Sequence, residues 1–568
     1  MKRFNQSELE ALTECPGEGS EAWLAGAEDS ITYLVQNMES DEAIIYASAK
    51  SVLIHGVLVQ TSKVAPPDTR LQYDTMPMTD DCWAIQRVWG GGQGHRMYLE
   101  APLSSCGRTY EGAQKLLYRR SFYGVQQGRT PIELSQKLVH SLDIYFVPER
   151  NAYCRLSLQG EVEDVIKIIQ RDSEDEWEGL EVVTILRKDL ERFMALSQTS
   201  LLLRFDFTRV KWGSFRGWGE IGRFEKDESE LFYHGGKSTQ GSYVNGALIV
   251  RPRVTVDDLV REWKEEDDPK NRRYATFKIF DRKNNMNVET SCAPAYLSNY
   301  FQESELPWEV SPAFFRPEVL LRFKADPEKF TLDDRSITCR GGWHLETFDI
   351  NEAGQVHSYI GYLARLPYEE QLYWQSFNEW PKGPISKRAH QTDILGDWDT
   401  AYDPLNALKR TVMKLDKSPP PWWNRRGEML INATRYPATD SPKEWADEIL
   451  ALDQLLVEGF LLKALRNEAA NAGRKVDTSW RSLRVLQEVL ASKGVEEDRA
   501  KELVAPMQRV HSLRTDIKGH ATTDKKKKAE ISARTLHGNF RAHFTQLTAD
   551  CDTALNKILS VFKIEFDS

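Results

Sequence analysis

Short runs in which apolar and polar residues alternate, rich in β-branched and aromatic side chains, recur along the first two thirds of the chain. They predict strands at 51–60, 81–89, 95–103, 180–186, 200–207 and 273–280. Residues 343–366 read as a hairpin, with Asn351 to Gly354 supplying the turn. Helices are expected at 186–197 and 367–379, and no long helix stands out in this part. The period changes after a run of three prolines, Pro419 to Pro421. Ser441, Pro442 and Glu444 have the spacing of a capping box, ahead of an apolar stripe of Trp445, Ile449, Leu452, Leu456, Phe460 and Leu465 that Gly473 would end. Thr478 is positioned to cap a second helix carrying Leu483, Leu486, Val489 and Leu490. A third is expected over 495–518, bent near Pro506, and a fourth over 526–562. The predicted fold class is α+β. A large β-rich mixed region over 1–415, of one or two subdomains, leads through a proline-rich connector over 416–440 to an all-α four-helix bundle over 441–568.

The chain has 568 residues, 40% hydrophobic and 28% charged, with a mean hydropathy of -0.53, the balance of a soluble globular protein of several domains. No apolar run approaches the roughly 18 residues of a spanning helix. The opening MKRFNQSELEALTE lacks the apolar stretch of a secretory signal, so a cytoplasmic protein with no membrane partner is expected. Seven cysteines form no C-x-x-C pair, which points to reduced thiols and gives no zinc site. The net charge of -10 is unevenly spread. Residues 1–440 hold 54 Lys and Arg against 66 Asp and Glu, and residues 441–568 hold 21 against 19. The window 505–545 is locally basic, with nine cations against three carboxylates.

That basic window contains the run from His511 through Arg514, Asp516, Lys518 and Gly519 to His520. On an unbroken helix Arg514 and His520 would point about 240° apart, whereas a helix ended at Gly519 lets His520 turn back toward Arg514. An arginine followed after five residues by a histidine, late in a four-helix domain, resembles the motif of the HEPN superfamily. The resemblance covers residues 441–568 alone. It implies a metal-independent endoribonuclease without cofactor, acting on RNA as a homodimer or higher homo-oligomer, of the kind found among effectors of bacterial toxin and antiphage systems. Arg514 and His520 would be its catalytic residues. A histidine titrating near neutrality can take a proton from a 2′-hydroxyl or give one to a leaving 5′-oxygen, and a permanently charged arginine can stabilise charge gathering on phosphorus. Asp516 and Lys518 would support the pair, and Lys525, Lys526, Lys527 and Lys528 would hold flanking phosphates. The family's usual polar residue after the arginine is here Thr515. His537, Arg541 and His543 are further residues of the last helix that could enter the same cleft. The N-terminal region would then sense a phage-derived or cellular trigger, or restrain the bundle.

Other residues suggest other classes. Asp281, Arg282 and Lys283 end a predicted strand and, with Asp257, Asp258, Asp267 and Asp268, could serve a metal-dependent nuclease. The stretch from Arg204 to Trp218 interleaves basic and aromatic residues suited to stacking bases. The 16 tryptophans would equally serve a non-enzymatic scaffold that binds protein and dimerises through the bundle. Gly90 to Gly94 should form a hairpin tip. Gly236-Lys237-Ser238 lacks the first glycine of a phosphate-binding loop, that position being Leu231, so no NTPase is expected.

Overall fold

The computed structural model describes residues 4–12, 20–49, 52–64, 82–89, 92, 94–103, 113–119, 131–171, 179–210, 224–228, 230–238, 241–268, 270–397, 402–518 and 523–564. The chain is mixed α+β with a helical C-terminal region, and it forms two compact units, Met1–Arg272 and Arg273–Ser568.

The first unit is built on an eleven-stranded sheet whose pairings are all antiparallel. Val52–Gln60 and Glu42–Ala49 lie at its middle. Strand Thr199–Val210 shows why this sequence makes a sheet with two covered faces. Leu201, Leu203, Phe205 and Phe207 enter the main core, while Leu202 enters a smaller core on the other face with Val57, Val59 and Ile249. Gly56 is required by close approach, since a Cβ there would stand 2.8 Å from the Ile45 carbonyl oxygen. Helix Arg187–Ser197 covers the main core through Leu190, Phe193 and Met194. So does Ser20–Glu39, through Ile31, Leu34 and Met38. This helix of 20 residues corrects the expectation that no long helix occurs in the front of the chain. Gly26 and the β-branched Thr32 and Val35 blur a stripe that tertiary packing makes decisive. His234 to Ser238 belong to strand Leu231–Ser238, not to a phosphate-binding turn.

The second unit opens with a six-stranded sheet in which Thr276–Asp281, Pro312–Phe315 and Val356–Tyr359 carry the core, and a three-stranded sheet of Phe330–Leu332, Ile337–Cys339 and His344–Leu345. The expected hairpin over 343–366 shrinks to Asp349–Ile350 against Val356–Tyr359. Its turn stands where the sequence puts it, with Gly354 at φ +77°. Beyond it Ile360–Leu363 becomes a helical turn, because Ile360 and Leu363 are both needed in the core.

The helical part begins earlier than the sequence suggests. Pro404–Lys417, capped by Asp403, packs against Phe540–Val561 and buries Leu405, Leu408, Val412 and Leu415. The proline-rich segment is no free tether. Trp422 and Trp423 are each 3% exposed, Trp422 stacks on Phe460 at 5.8 Å, and a Cβ on Gly459 would overlap the Trp423 ring. The first expected bundle helix is Pro442–Leu456, a 3₁₀ turn at Val457–Gly459, and a separate helix Leu462–Asn471. The last is likewise two helices, Thr523–His537 and Phe540–Val561, divided by Gly538 at φ +84° with Asn539 capping the second. Between these stand Ser482–Ser492, whose N-cap position is Arg481 and not Thr478, and Glu497–Lys518, which contains Pro506. The capping box at Ser441 does not form. Glu444 instead accepts from the Ala438 and Thr439 amides and pairs with Lys324. Trp445 stacks on Phe540 at 4.6 Å, and Phe540 and Phe544 are fully buried, each such burial contributing about 1.5–3 kcal/mol. No helix among the described residues is long and apolar enough to cross a membrane.

Candidate functional site

The site grows from one polar residue on an apolar face. Helix Pro442–Leu456 turns Ile449, Leu452 and Leu456 into the core, and Asp453, four residues after Ile449, points the same way with no exposed surface. A carboxylate so placed needs cations. Helix Glu497–Lys518, packed alongside, supplies two residues three apart and therefore on one face, His511 and Arg514. His511 Nδ1 stands 3.0 Å from Asp453 Oδ1, and Arg514 Nε stands 3.7 Å from Oδ2. Among the described residues Oδ2 has no hydrogen bond of its own, so the arginine holds it by charge. The His511 and Arg514 side chains are 48% and 38% exposed, so their free edges face solvent while the buried carboxylate fixes their anchored edges.

The other predicted residues fall as follows. Asp516 is half-buried on the same helix, and Lys518 is its last residue. Thr515 donates its hydroxyl to the His511 carbonyl at 2.9 Å, which satisfies it within the helix. His520 and Gly519 lie outside the described residues. Lys525 to Lys528 are exposed on the first turns of Thr523–His537. Four successive positions sweep about 300° of a helix, so the run cannot present one track, and only Lys525 and Lys528 share a face. His543 accepts the Trp445 indole N–H at 3.3 Å. Burial first, then His537 and Arg509, push its imidazole down to about 4, which suits a neutral acceptor in the core. Arg541 donates to the Pro437 carbonyl at 3.1 Å and lies over the Tyr436 ring.

Three of the carboxylates that could serve a metal, Asp281, Asp258 and Asp268, are engaged locally. Asp281 accepts from the Lys283 amide at 2.9 Å and from the Asn284 side chain at 2.7 Å, closing the turn between two strands. Asp258 and Thr255 form a reciprocal capping box, and Asp268 takes the Lys270 amide. Among the described residues no group of three His, Cys, Asp or Glu is arranged to hold a metal. The strand end at Arg204 to Val210 lies within the sheet, and residues 211–218 of the basic and aromatic stretch are outside the described residues, as are Gly90, Gly91 and Gln93 of the glycine tip.

Sequence reading missed Asp453. The signal was available, because a charged residue at helical spacing within an apolar stripe must find a partner on the neighbouring helix. It also missed the ion pairs of Lys324 with Glu444 and Glu448, the latter at 2.9 Å, which join segments over a hundred residues apart. No family model, no curated protein and no solved structure matches the chain.

Proposed function

We propose that residues 441–568 act as a HEPN-like endoribonuclease bundle that works without metal, with Arg514 and His520 as catalytic residues and the remainder of the chain sensing a trigger or restraining the cut. The observation that carries this is the anchoring of Arg514 by a fully buried carboxylate, which leaves part of the guanidinium facing solvent. In the proposed reaction a 2′-oxygen bonds to the adjacent phosphorus as its proton passes to a base. The bond to the 5′-oxygen breaks as that oxygen takes a proton, leaving a 2′,3′-cyclic phosphate. Arg514 stabilises the charge on the non-bridging oxygens, and His520 of two copies supplies base and acid. Lys525 and Lys528 hold flanking phosphate. The test is total-RNA integrity in cells expressing wild type, Arg514→Ala and His520→Ala, with and without phage challenge. RNA breakdown that survives EDTA in lysates and disappears in both variants supports the proposal. Intact RNA throughout overturns it.

A second reading, a protein-binding scaffold, is favoured by one observation. In the hairpin of Ala84–Trp89 and His95–Glu100, Ile85, Trp89, Met97 and Leu99 share one face by register, and each is at least 65% exposed. A two-stranded ribbon is marginal in water without a cover. Self-association or partner capture lost in Trp89→Ser, with RNA intact in every variant, is the outcome this reading requires.

A further inference from the structure

Within the second unit a cavity of about 310 Å³ opens between the three-stranded sheet and the helices Pro404–Lys417 and Glu428–Ala433. Its volume lies at the lower end of small-molecule sites, roughly 300–1,000 Å³. Its charges can be balanced one by one. Lys324 is neutralised by Glu444 and Glu448. Asp349 is held by Arg388 at 2.8 Å, and Asp334 pairs with the same guanidinium. Left over are three half-buried cations, Lys409, Arg435 and Arg541, with the exposed Arg410 and one exposed carboxylate, Asp333, which accepts the Ser336 hydroxyl at 3.3 Å. Lys409 makes no hydrogen bond or ion pair among the described residues. Arg435 donates through Nε to the Asn432 carbonyl at 3.2 Å, and Arg541 donates to the Pro437 carbonyl while lying over the Tyr436 ring. Neither guanidinium has a carboxylate within ion-pair distance among the described residues.

Half-buried cations that outnumber the carboxylates of a concave wall, here with only the exposed Asp333 left to face them among the described residues, are costly unless an anion completes them. Burial, and then Arg435, push the Lys409 ammonium down to about 8, against the opposing pull of Glu448, Asp334 and Asp403. Two guanidinium forks beside one ammonium match the several oxygens of a phosphoryl chain better than the two of a carboxylate. Leu405, Ile431 and Tyr436 provide apolar surface beside them. We propose that this cavity binds a small phosphorylated ligand of about nucleotide size, held by Lys409, Arg435 and Arg541.

The full-length chain is titrated by calorimetry with ATP, GTP, inorganic tripolyphosphate and a 5′-phosphorylated RNA decamer, and its melting is followed with and without each. Saturable binding of at least one of the three small probes is expected, weakened at least about tenfold by Lys409→Gln and by Arg435→Gln, the change that follows loss of one charge-assisted contact. Arg514→Ala should leave that binding unchanged, which separates this site from the ribonuclease proposal. Without ligand, Lys409→Met should melt no lower than wild type, and about 2 °C higher if its cation is as unmatched as the geometry indicates. The proposal is overturned if no small probe binds below about 1 mM, if RNA alone binds, if binding survives both substitutions, or if Lys409→Met lowers the melting point as loss of a structural cation would.

Discussion

The two units each hold a large cavity lined by charge, and they differ in how that charge is matched. The cavity of the first unit is about 710 Å³, more than twice the other, yet its cations are paired: Lys167 with Glu42 at 3.1 Å, Arg150 with Asp164 at 2.6 Å, Arg187 with Glu191 at 2.8 Å, Lys188 with Glu163 at 3.1 Å, and Arg253 with Glu39. The cavity of about 310 Å³ in the second unit leaves three half-buried cations and the exposed Arg410 without an ion pair among the described residues, against one exposed carboxylate, Asp333. Volume therefore says little about occupancy, and the residual charge after internal pairing says more, because a matched pair has nothing left to offer a ligand while an unmatched cation retains its full attraction.

The strongest way to break this contrast is Arg388→Gln. The guanidinium grips Asp349 through two hydrogen bonds, 2.8 and 3.0 Å, and the carboxylate is buried. Leaving it only the Arg335 cation, 3.8 Å away and without a hydrogen bond, should cost about 3 kcal/mol in urea unfolding, and the freed charge should compete for the neighbouring cations and weaken anion binding. The pair also fixes an acid dependence. Burial alone would raise the Asp349 carboxyl, but Arg388, with Ser386 and the Ile350 amide, outweighs it and holds the group below its usual range. Its contribution is present above the unfolded value near 3.9 and lost as pH falls through the lower folded one. An Asp349→Asn variant should lack that acid transition in a pH series of melts.

In the first unit Glu42 is buried and takes the Thr184 hydroxyl at 2.6 Å as well as Lys167, so Glu42→Gln should cost about 1.5–3 kcal/mol in the same denaturation. Lys409 gives a smaller effect of the same sign, stability rising with pH, but in an alkaline window. Its folded value near 8 lies below the ordinary 10.5, so a penalty is present below pH 8 and is relieved as pH climbs toward 10.5. Wild type should gain about 1 kcal/mol relative to Lys409→Met across that window, after allowance for solvent screening. Least of all, Lys188→Ala removes a cation that is 66% exposed and should change stability by less than about 0.5 kcal/mol. A larger loss would show that exposed pairs matter to the first cavity.

Local pattern carried much of the architecture. The strand through Leu201, Leu203 and Phe205, the turn at Gly354 and the helix around Leu486 and Val489 all follow from neighbours within a few residues. What escaped was decided at long range. Glu444 abandons its cap because Lys324, 120 residues earlier, reaches it. The stripe from Trp445 to Leu465 reads as one helix, but Trp423 packs against Gly459 and the chain breaks there. Gly538 was a visible breaker inside an otherwise unbroken apolar period. Of the candidate site, Arg514 was singled out for its spacing to His520, which lies outside the described residues, while its contact with Asp453 could have been found from a charge on an apolar face. Lys409 and Arg435 carry no local mark, and Arg541 was marked for another cleft, since only folding brings the three to one wall.

The tryptophan arm decides where this molecule can be divided. Trp422 and Trp423 roof Phe460, Trp422 also meets Phe562 at 4.7 Å, and the Trp422 carbonyl receives the Leu461 amide at 2.8 Å. A fragment begun at Ser441 would lack both tryptophans and so uncover Phe460 and Phe562, and would also lose the helix Pro404–Lys417 from the flank of Phe540–Val561. For recombination between genes, or for an engineer transplanting the helices onto another scaffold, the transferable module therefore starts no later than Asp403.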